Sequence, residues 1–221
     1  KNISKGTTKI MSIKKKGIIL EDDIIVSPNF LHFMNLCLNK FKNVKKIWHI
    51  NSWNYNIKNI KAKEDIFFWR GMHCWGWATW IDRWKDLDKN IENKLPYSEE
   101  KAIKRFNFYG FNKNNHNQLI LNDELKIKTW AIYWYQHIFL NGGLCLNPSK
   151  SLVKNIGFDG TGEHKSTNKF YKINNLNRSN SFNFKNKVTK SKVNEFLIII
   201  EYIKKNINEY FSYHFNKLRK S

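Results

Sequence analysis

Two periods of apolar spacing run along the chain. Residues 17–26 open as a β-branched run, Gly-Ile-Ile-Leu, reach three consecutive carboxylates, Glu21-Asp22-Asp23, and resume as Ile-Ile-Val, the pattern of a buried strand carrying acids at its end. Ser27-Pro28 offers an N-cap followed by proline at a first helical position. Phe30, Leu31, Phe33, Met34, Cys37, Leu38 and Phe41 then recur at helical spacing, which predicts a helix over 28–42. Residues 47–52, Ile-Trp-His-Ile-Asn-Ser, read as a second short strand. Strand, helix, strand in succession predicts an α/β fold.

Residues 67–84 hold five of the nine tryptophans, with glycines between large aromatics, and predict a close-approach loop that enters a helix. A second aromatic block, 130–139, has helical spacing and is ended by Gly142-Gly143. Residues 144–148 form a short strand stopped by Pro148. From 165 to 192 Asn, Ser and Lys dominate without a period, which predicts a flexible linker. Residues 193–221 return to helical spacing, with Lys204, Lys205, Lys217, Arg219 and Lys220 interspersed, and predict a basic amphipathic helix.

With 221 residues, 41% apolar and 15% aromatic, there is ample material for one hydrophobic core, so disorder of the whole is excluded. No apolar run approaches the ~18 residues that span a bilayer. The net charge of +21 is concentrated at the two ends, with residues 1–20 carrying +6 and 161–221 carrying +9. Cys37, Cys74 and Cys145 are odd in number, widely spaced and set among apolar neighbours, which fits thiols in a reducing, cytoplasmic setting. The first residue is Lys1 and no signal core follows it, so the chain reads as a fragment or a processed product.

Three adjacent carboxylates repel one another, and a fold tolerates them where a cation holds them. Hard oxygen ligands select Mg²⁺ or Mn²⁺, which take one or two protein carboxylates and complete their shell with phosphates and water. A solvated acidic turn before the helix is the alternative. The segment Gly-Ile-Ile-Leu-Glu-Asp-Asp-Ile-Ile-Val-Ser-Pro-Asn-Phe-Leu-His-Phe-Met-Asn resembles the metal-binding segment of GT-A glycosyltransferases. Arg70-Gly-Met-His-Cys-Trp-Gly-Trp-Ala-Thr-Trp-Ile-Asp-Arg-Trp84 looks like that superfamily's glycine-containing acceptor loop. Trp130-Ala-Ile-Tyr-Trp-Tyr, Gly142-Gly-Leu-Cys-Leu-Asn-Pro and the run from Ser151 to His164 are similar to bacterial sugar transferases related to N-acetylglucosaminyltransferase I, family 2-like.

The resemblance covers about residues 10–164. It implies a partial GT-A, Rossmann-like mixed sheet flanked by helices over 1–164, lacking its N-terminal βαβ unit. It also implies an inverting transfer from a nucleotide-sugar donor to a saccharide or lipid-linked acceptor, with Mn²⁺ or Mg²⁺. By the same resemblance Asp23 ligates the metal, Asp22 and Glu21 lie near the ribose and donor sugar, and His164 reaches the metal from the other side or is a surface-loop histidine. Trp75, Gly76 and Trp77 would line the sugar pocket or belong to the core, and Arg70 would pair with donor phosphates or form a structural salt bridge. Where relatives place the catalytic aspartate this chain has Lys128, and where they often show arginine it has Tyr133. The nearest acids, Asp123 and Glu124, become the candidate base.

The rival expectations are a catalytically inactive relative and a basic module that binds a membrane surface or nucleic acid. Acids at a strand end speak against a nucleic-acid partner, whereas residues 193–221 could touch a membrane peripherally. A strand over 17–26 is expected inside the sheet, needing neighbours that an N-terminal extension of roughly 70 to 100 residues would supply.

Overall fold

The computed structural model describes residues 2–57, 65–87, 99–157, 171–173, 175–184 and 187–218. It is an α/β fold with a mixed sheet flanked by helices. Its elements begin with α1 (Asn2–Lys14), β1 (Lys16–Ile19), β2 (Ile24–Val26), α2 (Phe30–Lys40), β3 (Ile47–Asn51), β4 (Ile66–Trp69), β5 (Trp77–Trp80) and the single turn α3 (Ile81–Trp84). There follow α4 (Glu100–Phe106), α5 (Asn114–Asp123), α6 (Ala131–Leu140), β6 (Leu144–Pro148), β7 (Val153–Asn155) and α7 (Lys192–Leu218).

The five-stranded sheet has the order β1-β5-β3-β6-β4. β3 and β6 are parallel, and every other pairing is antiparallel, so β1, β3 and β6 run one way and β5 and β4 the other. β2 and β7 make a separate antiparallel ribbon, Ile24 opposite Asn155 and Val26 opposite Val153. The expected strand over 17–26 is therefore two strands in two sheets, broken at the carboxylates. Its first part, β1, is an edge strand of this sheet, with α1 packed beside it.

α2 starts two residues later than expected and buries Phe30, Phe33, Met34, Cys37 and Leu38 against the sheet face that carries Ile50, Ala78 and Trp80. Trp134 and Ile138 of α6, with Met11 of α1, cover the other face around Trp77, Trp84 and Cys145. The described part of the expected linker lies against the body. Asn177 N–H donates to Ser151 O at 2.8 Å, Ser191 N–H to Phe68 O at 2.7 Å, and Phe182 packs edge-on to Phe33 at 4.9 Å. Its aromatic side chains explain this, since they supply the apolar area that a linker lacks.

Under α6 lies a buried polar network. The Trp134 indole N–H donates to His49 Nδ1 at 3.0 Å, which leaves the ring proton on Nε2, facing Asn51 Oδ1 at 3.0 Å and His73 O at 3.1 Å. Asn51 Nδ2 in turn donates to Gly71 O at 3.0 Å and to Asn147 Oδ1 at 2.8 Å, and Asn51 Oδ1 accepts the His73 N–H at 2.7 Å. These bonds pin the 70–76 loop across β3 and β6.

Burial pushes the His49 imidazole down to about 3 from its ordinary 6.5. Below pH 6.5 the unfolded ring takes a proton that the folded one refuses, so stability present above that pH is lost on acidification. Between pH 7 and pH 5 the loss from His49 should be roughly 2 kcal/mol. Urea midpoints measured across that interval should fall in the parent and fall less steeply in His49→Gln. Parallel slopes in the two proteins would show that His49 is not the titrating group.

Candidate functional site at the carboxyl ends of the parallel strands

The carboxyl ends of β1, β3 and β6 and the start of β5 meet at one end of the sheet, the end at which open α/β sheets bind ligands. Here the chain leaves β1 through Leu20, turns at Glu21-Asp22-Asp23 and enters the β2–β7 ribbon. Two long-range hydrogen bonds fix the turn. Ile156 N–H donates to Asp23 O at 2.9 Å, and Asn155 Nδ2 donates to Asp23 Oδ2 at 2.8 Å. Asn155 is itself held, accepting the Gly157 N–H at 2.7 Å. A Cβ at Gly157 would stand 2.8 Å from Asp23 Oδ2, so a side chain there would push on the carboxylate that Asn155 orients.

The other oxygen, Asp23 Oδ1, is buried and has no hydrogen-bond partner among the described residues. Such an atom costs about 1–3 kcal/mol or more when charged, unless something occupies its free lone pairs. Beside it Glu21 is pushed up to about 7, first by burial and then by the charges of Asp23 and Asp22. Among the described residues, no lysine or arginine forms an ion pair with Glu21, Asp22 or Asp23, although the chain carries +21. Cys74 lies close by, its thiol raised to about 12 by burial and then by Glu21.

The aromatic loop reaches this end of the sheet at Trp75 and Gly76. Ser52, just past β3, donates its Oγ hydrogen to Gly76 O at 2.5 Å. Gly76 has φ +66, and a Cβ there would come within 2.6 Å of Ser52 Oγ. Trp75 is half-buried and stands edge-on to Trp53 at 5.0 Å and to Tyr171 at 5.5 Å.

Other candidates lie elsewhere. Trp77 is fully buried, because strand alternation turns it onto the α6 face, where it stacks on His49 at 5.2 Å and Trp130 at 5.4 Å. It belongs to the core and does not line a sugar pocket. Arg70 follows β4, and because β4 is antiparallel to β6 its end lies at the opposite end of the sheet from the acids. There Arg70 Nε and Nη2 donate to Glu195 Oε1 at 3.0 and 2.7 Å, and Nη1 donates to Arg105 O at 2.8 Å. Of its two sequence readings, the geometry is that of the structural salt bridge.

Asp123 ends α5 and Glu124 caps it, at the corner leading to α6. Glu124 pairs with Lys126 at 2.9 Å, and the charge of Asp123 adds to burial in raising the Tyr133 phenol. His164 lies outside the described residues, so its expected approach to the metal does too.

Among the described residues no three His, Cys, Asp or Glu side chains group so as to hold a metal by themselves. Asp23 nevertheless fits a hard cation of the one-carboxylate kind, through an oriented carboxylate with one oxygen held by Asn155 and the other free. Sequence reasoning found Asp23 but not Asn155 or Gly157. They lie within the Ser151–His164 run, yet nothing local marks them as its partners. The chain matches no protein-family model, and no curated protein matches it.

Proposed function

We propose that the chain is a metal-dependent, inverting glycosyltransferase of GT-A type, taking a nucleotide-diphosphate sugar as donor and a polysaccharide or glycolipid as acceptor. The observation that carries the reading is the buried Oδ1 of Asp23, which has no hydrogen-bond partner among the described residues, in a triad of carboxylates that pairs with no lysine or arginine among them. Its place at the carboxyl ends of the parallel strands adds support.

In this reading Asp23 holds Mn²⁺ or Mg²⁺, with His164 as the further ligand that the resemblance implies. The ion, when bound, neutralises charge building on the departing diphosphate. Asn155 fixes the orientation of Asp23 by donating to Oδ2, and Gly157 leaves room for that contact. Glu21, two residues from Asp23, can accept a hydrogen bond from a sugar or ribose hydroxyl. Trp75 offers a half-exposed ring on which a pyranose face can pack. Asp123 or Glu124 takes the proton of the attacking acceptor hydroxyl.

Lys128, exposed at the position where the resemblance expects the base, favours a second reading, a relative that binds the donor without turning it over. Both readings require cation-dependent nucleotide binding. Saturating Mn²⁺ with the matching nucleoside diphosphate should raise the melting temperature by about 5 to 10 °C, which corresponds to ligand at roughly 100 times its Kd. No rise with any nucleoside diphosphate, together with a rise from a polyanion alone, would replace both by a binding module. Donor hydrolysis then separates the transferase from its inactive relative.

A further inference from the structure

Helix α7 is 27 residues long and its two sides differ. Asn194, Glu195, Ile198 and Tyr202 are buried against the body. The Glu195 carboxylate meets Arg70 and Lys190, Tyr202 Oη lies 2.7 Å from Tyr55 Oη, and Asn206 Nδ2 donates to Phe111 O at 3.0 Å. At 100° per residue these positions share one side of the helix.

Val193, Phe196, Ile200, Ile203, Ile207 and Tyr210 follow one another at spacings of three and four along the opposite side, with Phe211 beside them. Most of this stripe faces solvent, Ile200 and Ile203 being half-buried. Val193 is 52% exposed, Phe196 62%, Ile207 48%, Tyr210 61% and Phe211 66%. At 1.5 Å per residue it is roughly 25 Å long. An apolar stripe of that length on the outer side of a docked helix marks an interaction surface, because the body already has its own contacts on the inner side.

Charge selects the occupant. The acids of the helix are turned inward or paired, Glu195 with Arg70 and Lys190, Glu201 with Lys204 and Glu209 with Lys205. In the sequence Lys217, Arg219 and Lys220 follow the stripe. A second copy of the chain would bring another +21 against the first and offers no acid beside the stripe. An anionic lipid surface meets both requirements, taking up the aromatic and aliphatic side chains while the basic chain is drawn to its headgroups. No helix among the described residues is long and apolar enough to cross a membrane, so the geometry is that of a helix lying along the surface.

We infer that α7 docks this protein on anionic membranes through its outward stripe. The inference rests on α7 alone and does not depend on the transferase reading. It has a consequence for that reading, since Lys205 lies 5.6 Å over the Tyr171 ring, which touches Trp75. A lipid-anchored acceptor would then stand two side-chain contacts, through Lys205 and Tyr171, from Trp75.

The test is flotation of the complete chain with phosphatidylcholine vesicles, with and without phosphatidylglycerol, at low and high salt. The parent should float with the anionic vesicles, more at low salt, and should ignore neutral ones. The double variant Ile207→Glu, Phe211→Glu should lose binding by roughly tenfold or more while keeping its circular dichroism spectrum and melting temperature, because Ile207 and Phe211 are 48% and 66% exposed. Equal flotation of parent and variant overturns the inference, as does a parent that does not float. If the parent fails to float and instead has twice the chain mass in light scattering, with the variant monomeric, the stripe belongs to a second copy and the lipid assignment is wrong.

Discussion

Replacement of Asp23 by Asn should lower Mn²⁺-dependent donor turnover by at least about two orders of magnitude, the scale on which preorganised electrostatic stabilisation of a leaving group acts. The substitution keeps the size of the side chain and the acceptor for Asn155, and it removes the charge that Oδ1 presents. Folding should be unharmed, because relief of repulsion with Glu21 and Asp22 offsets any loss. Asn155→Ala should have a smaller effect of the same kind, raising the cation concentration needed for half-maximal rate, since it frees the carboxylate to rotate without discharging it. Near-normal turnover in Asp23→Asn would remove Asp23 from the site.

The largest expected effect on stability lies at the other end of the sheet. Arg70 and Glu195 are 9% and 6% exposed, and Glu195 Oε2 also meets Lys190 at 2.6 Å. Glu195→Ala strands a buried guanidinium and should cost about 3–5 kcal/mol, read from the midpoint of urea unfolding. Replacing both partners, Arg70→Met with Glu195→Leu, should recover more than half of that loss, because desolvation of the ions disappears along with their attraction. A single variant as stable as the parent would mean that the pair contributes nothing, and that α7 is held by its other contacts, Ile198, Tyr202 and Asn206 among them.

The acid turn, α2, β3, α6, β6 and α7 were legible in the sequence because each is written in a local period. β4 and β5 were not. Ile66-Phe-Phe-Trp69 and Trp77-Ala-Thr-Trp80 are buried on both faces, so they show no alternation, and the glycines between them read as one long loop. Helix α1 was missed for a different reason. Gly6, Thr7 and Thr8 are weak helix formers, and the helix is held by tertiary contacts, Met11 in the Trp77–Trp84 cluster and the Trp84 indole N–H donating to Thr8 Oγ1 at 3.0 Å.

In the site, Asp23 could be found because its acidic neighbours are adjacent in sequence. Asn155 is 132 residues away, and Asn51 is 96 residues from Asn147, so no short motif joins either pair. Arg70 and Trp77 each kept two readings in the sequence, because their block carries neither strand direction nor face. The direction of β4 sends Arg70 away from the acids, and the pleat of β5 sends Trp77 inward.

The central claim, that the Glu21–Asp23 turn is a divalent-cation and diphosphate site, is tested most directly by counting bound Mn²⁺. Electron paramagnetic resonance of free Mn²⁺, titrated with protein and a nucleoside diphosphate, should show one ion taken up per chain by the parent. Asp23→Asn should show uptake weakened by at least about tenfold. Equal uptake by the two proteins, or none by the parent with any nucleoside diphosphate, would contradict the claim.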